Sequence, residues 1–201
     1  MPQLTELNGY HEVLVRRVLD FARAAGWSQV PMAYHDRNGG ERLKLANDPT
    51  AIFMRTRPDL NLTNGREALM VEVKTCISPQ YANATPELFP IVSAIVLWRV
   101  QRVRTLYVYE DPHAGISAAW WAYQVFEDVP VTAIYLGSQR PEWRDYMAWI
   151  HHWKSIGIIP ADVPVKTVQT LGSGDPYVVI PERVLRTLLP WHVVLGDALG
   201  R

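Results

Sequence analysis

The chain has 201 residues, of which 48% are apolar and 20% are charged, and its formal net charge is zero. This composition excludes a disordered chain, and the length favours one domain over two. A neutral chain also lacks the overall basic excess of many phosphate-binding proteins. Basic side chains outnumber acidic ones by 13 to 10 only in the part that ends at Arg104.

The only cysteine is Cys76, which excludes an intramolecular disulfide and suits a reducing compartment. The first residues do not show the basic, apolar and small-residue order of a signal peptide. The longest apolar run, residues 89–98, is far shorter than the roughly 20 residues of a membrane span. We therefore expect a cytoplasmic protein without a membrane anchor.

Spacing of apolar and turn-forming residues predicts the elements of the chain. Apolar residues three and four apart predict a helix from Leu7 to Ala25, and Asn64-Gly65 predicts the turn of a β-hairpin. Pro90 is placed as the first residue of a later helix. The other predicted elements are a strand beginning near Ala51, the hairpin strands at 59–62 and 68–74, helices at 91–101 and 141–155, and strands at 105–109 and 129–136.

This mixed order of helices and strands predicts an α/β fold, with a central mixed sheet flanked by helices. We assign residues 1–157 to a core domain. Residues 158–201 carry weaker signals and are assigned to a C-terminal extension packed on the same domain.

Glu72 and Lys74 carry the most informative pattern. Being two residues apart on a predicted strand, they project from the same face, and the apolar run before them indicates a buried strand. Asp59 belongs to the partner strand of the hairpin, where Pro58 favours extended backbone. Taken singly, a Glu-x-Lys pair on a strand is more often a surface ion pair. The presence of Asp59, Glu72 and Lys74 together on one hairpin favours a shared site.

Two carboxylates and a carbonyl are ligands that Mg²⁺ or Mn²⁺ prefers. Asp59, Glu72 and the Val73 carbonyl are therefore predicted to bind one of these ions. Lys74 would orient or help to deprotonate the attacking water and offset charge on the phosphorane. The chemistry expected from this set is phosphodiester hydrolysis.

At these residues the chain resembles the PD-(D/E)XK nuclease superfamily. Pro58-Asp59, a gap and Glu72-Val73-Lys74 look like its signature, and the resemblance extends over about residues 6–135. It implies a restriction-endonuclease-like core, metal binding by Asp59 and Glu72, and a catalytic Lys74.

The resemblance also suggests additional site residues. Many members add a glutamate from the first helix, and Glu12 is preferred over Glu6 because its distance to Gly26-Trp27 is similar to that in virus-type replication-repair nucleases. On a helical wheel, however, Glu12 lies nearly opposite the apolar stripe. Gln80 resembles a glutamine that some members place near the scissile phosphate.

Three arginines flank the hairpin and are predicted to contact phosphates, and aromatic residues suggest a subunit interface for a homodimer. The arginines are Arg55, Arg57 and Arg66, and the candidate interfaces are Trp120-Trp121 and the helical stripe around Trp149. For the stripe, packing within the core is the preferred interpretation. The histidines show no zinc-ligand spacing.

The function expected from the sequence is a metal-dependent DNA endonuclease that selects branched or otherwise distorted DNA, as in repair or recombination. One alternative is a catalytically inactive nuclease-fold protein that binds DNA or acts structurally, which the neutral charge favours. A second alternative is a restriction-type endonuclease, since loops and oligomer geometry decide target choice.

Overall fold

The computed structural model describes residues 4–30, 57–76, 83–137, 143–169 and 175–201. Its elements in chain order are α1 (Leu4–Ala24), β1 (Ser28–Gln29), β2 (Leu60–Thr63), β3 (Ala68–Thr75), α2 (Leu88–Gln101), β4 (Thr105–Asp111), β5 (Ile116–Trp121), a short 3₁₀ helix (Ala122–Gln124), β6 (Ile134–Gly137), α3 (Trp143–Ser155), β7 (Val165–Val168), β8 (Tyr177–Val178), α4 (Glu182–Leu185) and α5 (Trp191–Ala198). Over these ranges, no helix combines the length and the apolar character needed to cross a membrane.

The main sheet has five strands in the order β1-β2-β3-β4-β5. Only β3 and β4 pair in parallel, with Lys74 opposite Tyr109, and the other three pairings are antiparallel. The sheet is therefore mixed, and helices pack on both of its faces. This confirms the predicted α/β class with a central mixed sheet.

The hairpin of β2 and β3 forms around the turn that the sequence predicts. Gly65 adopts a φ of +86°, a backbone conformation that costs glycine little free energy because it has no side chain. The side-chain oxygen of Asn64 accepts hydrogen bonds from the backbone N–H groups of Arg66 and Glu67, which closes the turn. The resulting register places Leu60 opposite Val71.

Alternation along the central strands sends apolar side chains to two cores, one on each face of the sheet. On one face, Val71 and Val73 of β3 pack with the buried stripe of α1 and with Trp191 and Leu195 of α5. On the other face, β4 and β5 pack with α2, α3 and the second sheet. Glu72 and Lys74, being even-numbered residues of β3, face the α2 side.

A second sheet has the order β7-β6-β8. The assigned domain boundary at residue 157 falls between β6 and its two partners, since β7 and β8 both follow it. Residues beyond 157 also contribute Trp191 and Leu195 to one core and Val178 and Ile180 to the other. The C-terminal segment is thus part of both cores.

Several predicted boundaries need correction. Strand β5 and helix α5 were not predicted, and the strand expected at 129–136 is confined to 134–137. Helix α2 begins two residues before Pro90, which is its third residue instead of its first. The strand expected near Ala51 lies outside the described residues.

Candidate active site

The candidate site lies at the stretch of β3 that the described residues of β2 do not pair with. Strand β2 begins at Leu60, opposite Val71, so it does not reach the backbone groups of Val73. Two side chains pair with them instead. Asp59 accepts a hydrogen bond from the Val73 N–H through Oδ2 at 2.8 Å, and His11 Nε2 donates to the Val73 carbonyl at 3.1 Å. A buried backbone donor and acceptor are thereby satisfied by residues from the approach to β2 and from α1.

His11 and Asp59 also contact each other. Their Nε2 and Oδ2 atoms are 3.5 Å apart, and the side chains keep 36% and 28% of their surface exposed. The hydrogen bond to Asp59 is the main cause that raises the pKa of His11, and burial opposes it. Sequence reasoning missed His11, whose only signal was a position one residue before Glu12 on the predicted helix.

On the α2 side of β3, Lys74 lies between two carboxylates. Its Nζ is 2.9 Å from Glu72 Oε1 and 2.8 Å from Glu87 Oε2. Glu87 is the residue just before α2, and its side chain makes no capping hydrogen bond, so the start of this helix brings a second acid to the lysine. Sequence reasoning missed Glu87, although an acidic residue just before a predicted helix that follows the site strand was a usable signal.

The electrostatics of this cluster are dominated by burial and by an excess of negative charge. Burial raises the pKa of Glu72 to about 7, and repulsion from Asp59 and Glu87 adds to this increase while Lys74 opposes it. For Lys74, burial lowers the pKa, but attraction to Glu72 and Glu87 outweighs it and the pKa lies above its ordinary value. Lys74 therefore stays an ammonium ion at neutral pH.

The donor set suits a hard divalent cation. Asp59 and Glu72 provide carboxylate oxygens and Val73 a carbonyl oxygen, and a cation would relieve the repulsion from Asp59 and Glu87 that adds to the effect of burial on the pKa of Glu72. Among the residues that the structure describes, no three His, Cys, Asp or Glu side chains form a metal-binding group. Mg²⁺ needs only one or two carboxylates, because waters and substrate phosphates complete its shell. The residues fit such an ion.

Of the predicted site residues, Asp59, Glu72, Val73 and Lys74 come together at this edge of β3. From α1, His11 contacts the backbone of Val73, and Glu12 is exposed, as its helical-wheel position suggested. The role of Glu12 stays a prediction. Among the remaining candidates, Gln80, Arg55 and the side chain of Glu6 lie outside the described residues.

Two of the three predicted phosphate-binding arginines lie among the residues that the structure describes. Arg57 is half-buried and lies two residues before Asp59, while Arg66 is exposed in the turn of the β2–β3 hairpin. Of the candidate interface Trp120-Trp121, Trp120 is only 1% exposed and stacks on Tyr107 within the core, whereas Trp121 is half-buried. Trp149 of α3 is 49% exposed.

No family model and no curated protein was found to match the chain. Among solved structures, the chain is similar to Hjc, a Holliday junction resolvase from the archaeal hyperthermophile Archaeoglobus fulgidus. The two chains are 14% identical, with a TM-score of 0.42, and the match covers 93% of this chain and 96% of that one. A likeness this remote establishes neither a family nor a function, so both are inferred from the site.

Proposed function

We propose that this protein is a divalent-metal-dependent nuclease of the PD-(D/E)XK superfamily that hydrolyses phosphodiester bonds in DNA. One observation carries the proposal: Asp59 accepts a hydrogen bond from the backbone of Val73, the residue between Glu72 and Lys74, just beyond the last residue of β3 that pairs with β2. The two carboxylates and the lysine of the motif thus meet at a site in which the side chains of Asp59 and Lys74 keep 28% and 26% of their surface exposed.

The residues divide into a group that holds the cation and a group that binds the phosphate. Asp59, Glu72 and the Val73 carbonyl would hold Mg²⁺ or Mn²⁺, which when bound activates water and neutralises phosphate charge. Lys74 acts as a fixed positive charge and hydrogen-bond donor toward the phosphate. It does not act as a base, because Glu72 and Glu87 hold its pKa above its ordinary value.

His11 maintains the same edge from the helix side. Its Nε2 lies 3.1 Å from the Val73 carbonyl and 3.5 Å from Asp59 Oδ2, both of which are proposed metal ligands. An N–H donor at this position holds the two oxygens near each other. A bound cation would take over this role, because it attracts the same pair of oxygens.

For the substrate, we propose branched DNA cut by structure selection. The support comes from the sequence, in which neither a helix-turn-helix nor a zinc motif is apparent as a base-reading element. A homodimer would suit substrates with twofold symmetry, and the exposed Trp149 remains a candidate contact.

The test is a cleavage panel of linear, flapped and four-way DNA, run with Mg²⁺ and with EDTA. Cleavage with Mg²⁺ should disappear in EDTA and in Lys74→Met, and branched substrates should be cut faster than linear duplex. Lys166→Met removes an exposed lysine of β7 and serves as the matched control. Preference for one linear sequence would instead support a restriction-type enzyme, and cleavage of no substrate would reject the nuclease.

A catalytically inactive DNA-binding module is the second candidate. It is favoured by the pairing of the site's acids with the protein's own cations, Glu72 with Lys74 and Asp59 with His11. Calorimetric titration with Mn²⁺ separates the two candidates. The nuclease should bind Mn²⁺ and lose binding in Asp59→Asn, whereas the inactive module should bind DNA without a response to Mn²⁺.

A further inference from the structure

A stack of aromatic rings lies at the end of the main sheet opposite to the candidate active site. Trp98 of α2 stacks on Tyr123 of the 3₁₀ helix, with ring centroids 4.5 Å apart and planes 20° apart. Tyr123 in turn stacks on Trp121 of β5, at 6.1 Å and 10°. All three residues are half-buried, so each keeps part of its surface exposed to solvent.

Two arginines extend this stack at its ends. The guanidinium of Arg102 lies 5.2 Å from the Trp98 centroid, and that of Arg104 lies 5.7 Å from the Trp121 centroid. The order is thus arginine, three aromatic rings, arginine. We call these five residues the aromatic–arginine stack.

Arg102 occupies a backbone conformation that disfavours its side chain. It ends α2 with φ 59° and ψ 25°, in the left-handed region where glycine is the common C-terminal residue. Its N–H caps the carbonyl groups of Leu97 and Trp98, a role that needs no side chain. An arginine at this position is therefore not explained by helix termination.

The chain segment that carries Trp98 and both arginines of the stack is basic, although Asp128 also acts on Tyr123. The segment from Trp98 to Arg104 contains three arginines and no acidic residue. Arg104 also lies 3.5 Å from Glu67 in the β2–β3 turn, and Arg66, the residue before Glu67, is exposed. Flat rings with neighbouring guanidinium groups are the combination that binds unpaired nucleic-acid strands, because bases stack on rings and arginines contact phosphates.

We propose that the aromatic–arginine stack binds an unpaired strand of the nucleic-acid substrate. The β3–β4 register places Met70 opposite Thr105 near the stack, and Lys74 opposite Tyr109 at the candidate active site. Four residues of strand separate these positions, which is roughly 13 Å. The stack thus holds single-stranded nucleic acid a few nucleotides from the scissile bond. This inference rests on the proposed function for its choice of nucleic acid as partner.

The test measures binding without cleavage. The full chain is titrated in EDTA into a fluorescently labelled oligothymidylate at low salt, and binding is followed by anisotropy. Arg102→Gly relieves the left-handed conformation, so its Tm should equal or exceed that of the wild type, while its affinity should fall about tenfold. Arg104→Gln should also weaken binding. Arg183→Gln, at an exposed position of α4, makes the same charge change as Arg104→Gln and should bind like the wild type.

Three results would overturn the inference. One is a wild-type chain that does not bind the oligonucleotide, and another is an Arg102→Gly variant that binds as tightly as Arg183→Gln. In the third, sedimentation shows that Arg102→Gly has lost self-association while its affinity for the oligonucleotide is unchanged. The stack would then be a contact between subunits. Cleavage by the wild-type chain with Mg²⁺ separates this failure from failure of the proposed nuclease: the wild type cleaves DNA in the first case and cleaves no substrate in the second.

Discussion

Asp59 and Val73 are joined by a hydrogen bond of 2.8 Å, in which the carboxylate Oδ2 accepts the backbone N–H. The contact satisfies a donor at the edge of β3 beyond its pairing with β2 and holds the carboxylate beside the residues that flank Val73. It therefore links the stability of this edge to the position of a proposed metal ligand.

Two substitutions of Asp59 separate these roles. Asp59→Asn keeps an oxygen that accepts the Val73 N–H, so stability should change little, whereas Asp59→Ala leaves that donor unpaired and should cost about 1–3 kcal/mol. Both should lose Mn²⁺ binding. Urea unfolding in EDTA and Mn²⁺ calorimetry measure the two effects. Equal stability of both variants would show that the hydrogen bond contributes nothing.

Lys74 is expected to act as a permanent charge. Because Glu72 and Glu87 raise its pKa above the ordinary 10.5, the cleavage rate should show no loss from lysine deprotonation between about pH 8 and 10. Lys74→Met should reduce kcat by at least about 100-fold with little change in DNA affinity. A rate that falls across this pH range together with the titration of Lys74 would contradict the assignment.

Glu72 should make cation binding dependent on pH. Burial raises its pKa to about 7, so below pH 7 a proton competes with the cation for the carboxylate. Mn²⁺ affinity should fall up to about tenfold for each pH unit below 7 and level off above it. Calorimetry between about pH 5.5 and 8.5 tests this. A constant affinity over that range would show that Glu72 is not a ligand.

Much of the site could be predicted because its determinants are local. The Asn64-Gly65 turn sets the β2–β3 register, and period-two alternation assigns Glu72 and Lys74 to one face. His11 and Glu87 could not be found in this way. Their positions depend on how α1 and α2 pack on the sheet, and such long-range packing leaves no spacing signal in the chain.

The missed elements of the fold have similar physical reasons. Strand β5 contains Ser117, Ala118 and Ala119, which have weak strand preference, and pairing with β4 determines their conformation. Helix α5 spans only eight residues, too few for a clear periodic pattern. Its place in the fold depends instead on Trp191, which contacts residues far away in the sequence.

Trp191 is expected to be a strong contributor to stability. Its Nε1 donates to Glu110 Oε1 at 2.6 Å, and Arg17 contacts the other carboxylate oxygen at 2.7 Å. Trp191→Phe removes one donor from a buried carboxylate and should cost about 1.5–3 kcal/mol. Trp149→Phe, at a side chain that is 49% exposed, is the matched control and should change the free energy of unfolding by less than about 0.5 kcal/mol. Similar losses in both variants would contradict this role.

His11 should give the protein a pH-dependent stability in the absence of metal. Its folded pKa lies above the ordinary 6.5, because of its hydrogen bond to Asp59. The charged form is therefore stabilised on folding, and this contribution is fully present below pH 6.5 and is lost as the pH rises through the folded pKa. His11→Gln keeps an N–H donor for Val73 but cannot become charged. In EDTA, the wild type should thus exceed His11→Gln in free energy of unfolding at pH 5.5 by more than it does at pH 8.5. The difference should stay below about 1 kcal/mol, since solvent screens a pair whose side chains are 36% and 28% exposed.

Val13→Ala, at an exposed position of the same helix, controls for changes in α1 and should leave the pH dependence unchanged. A gap between wild type and His11→Gln that is equal at both pH values would show that the imidazole acts only as a neutral donor to Val73.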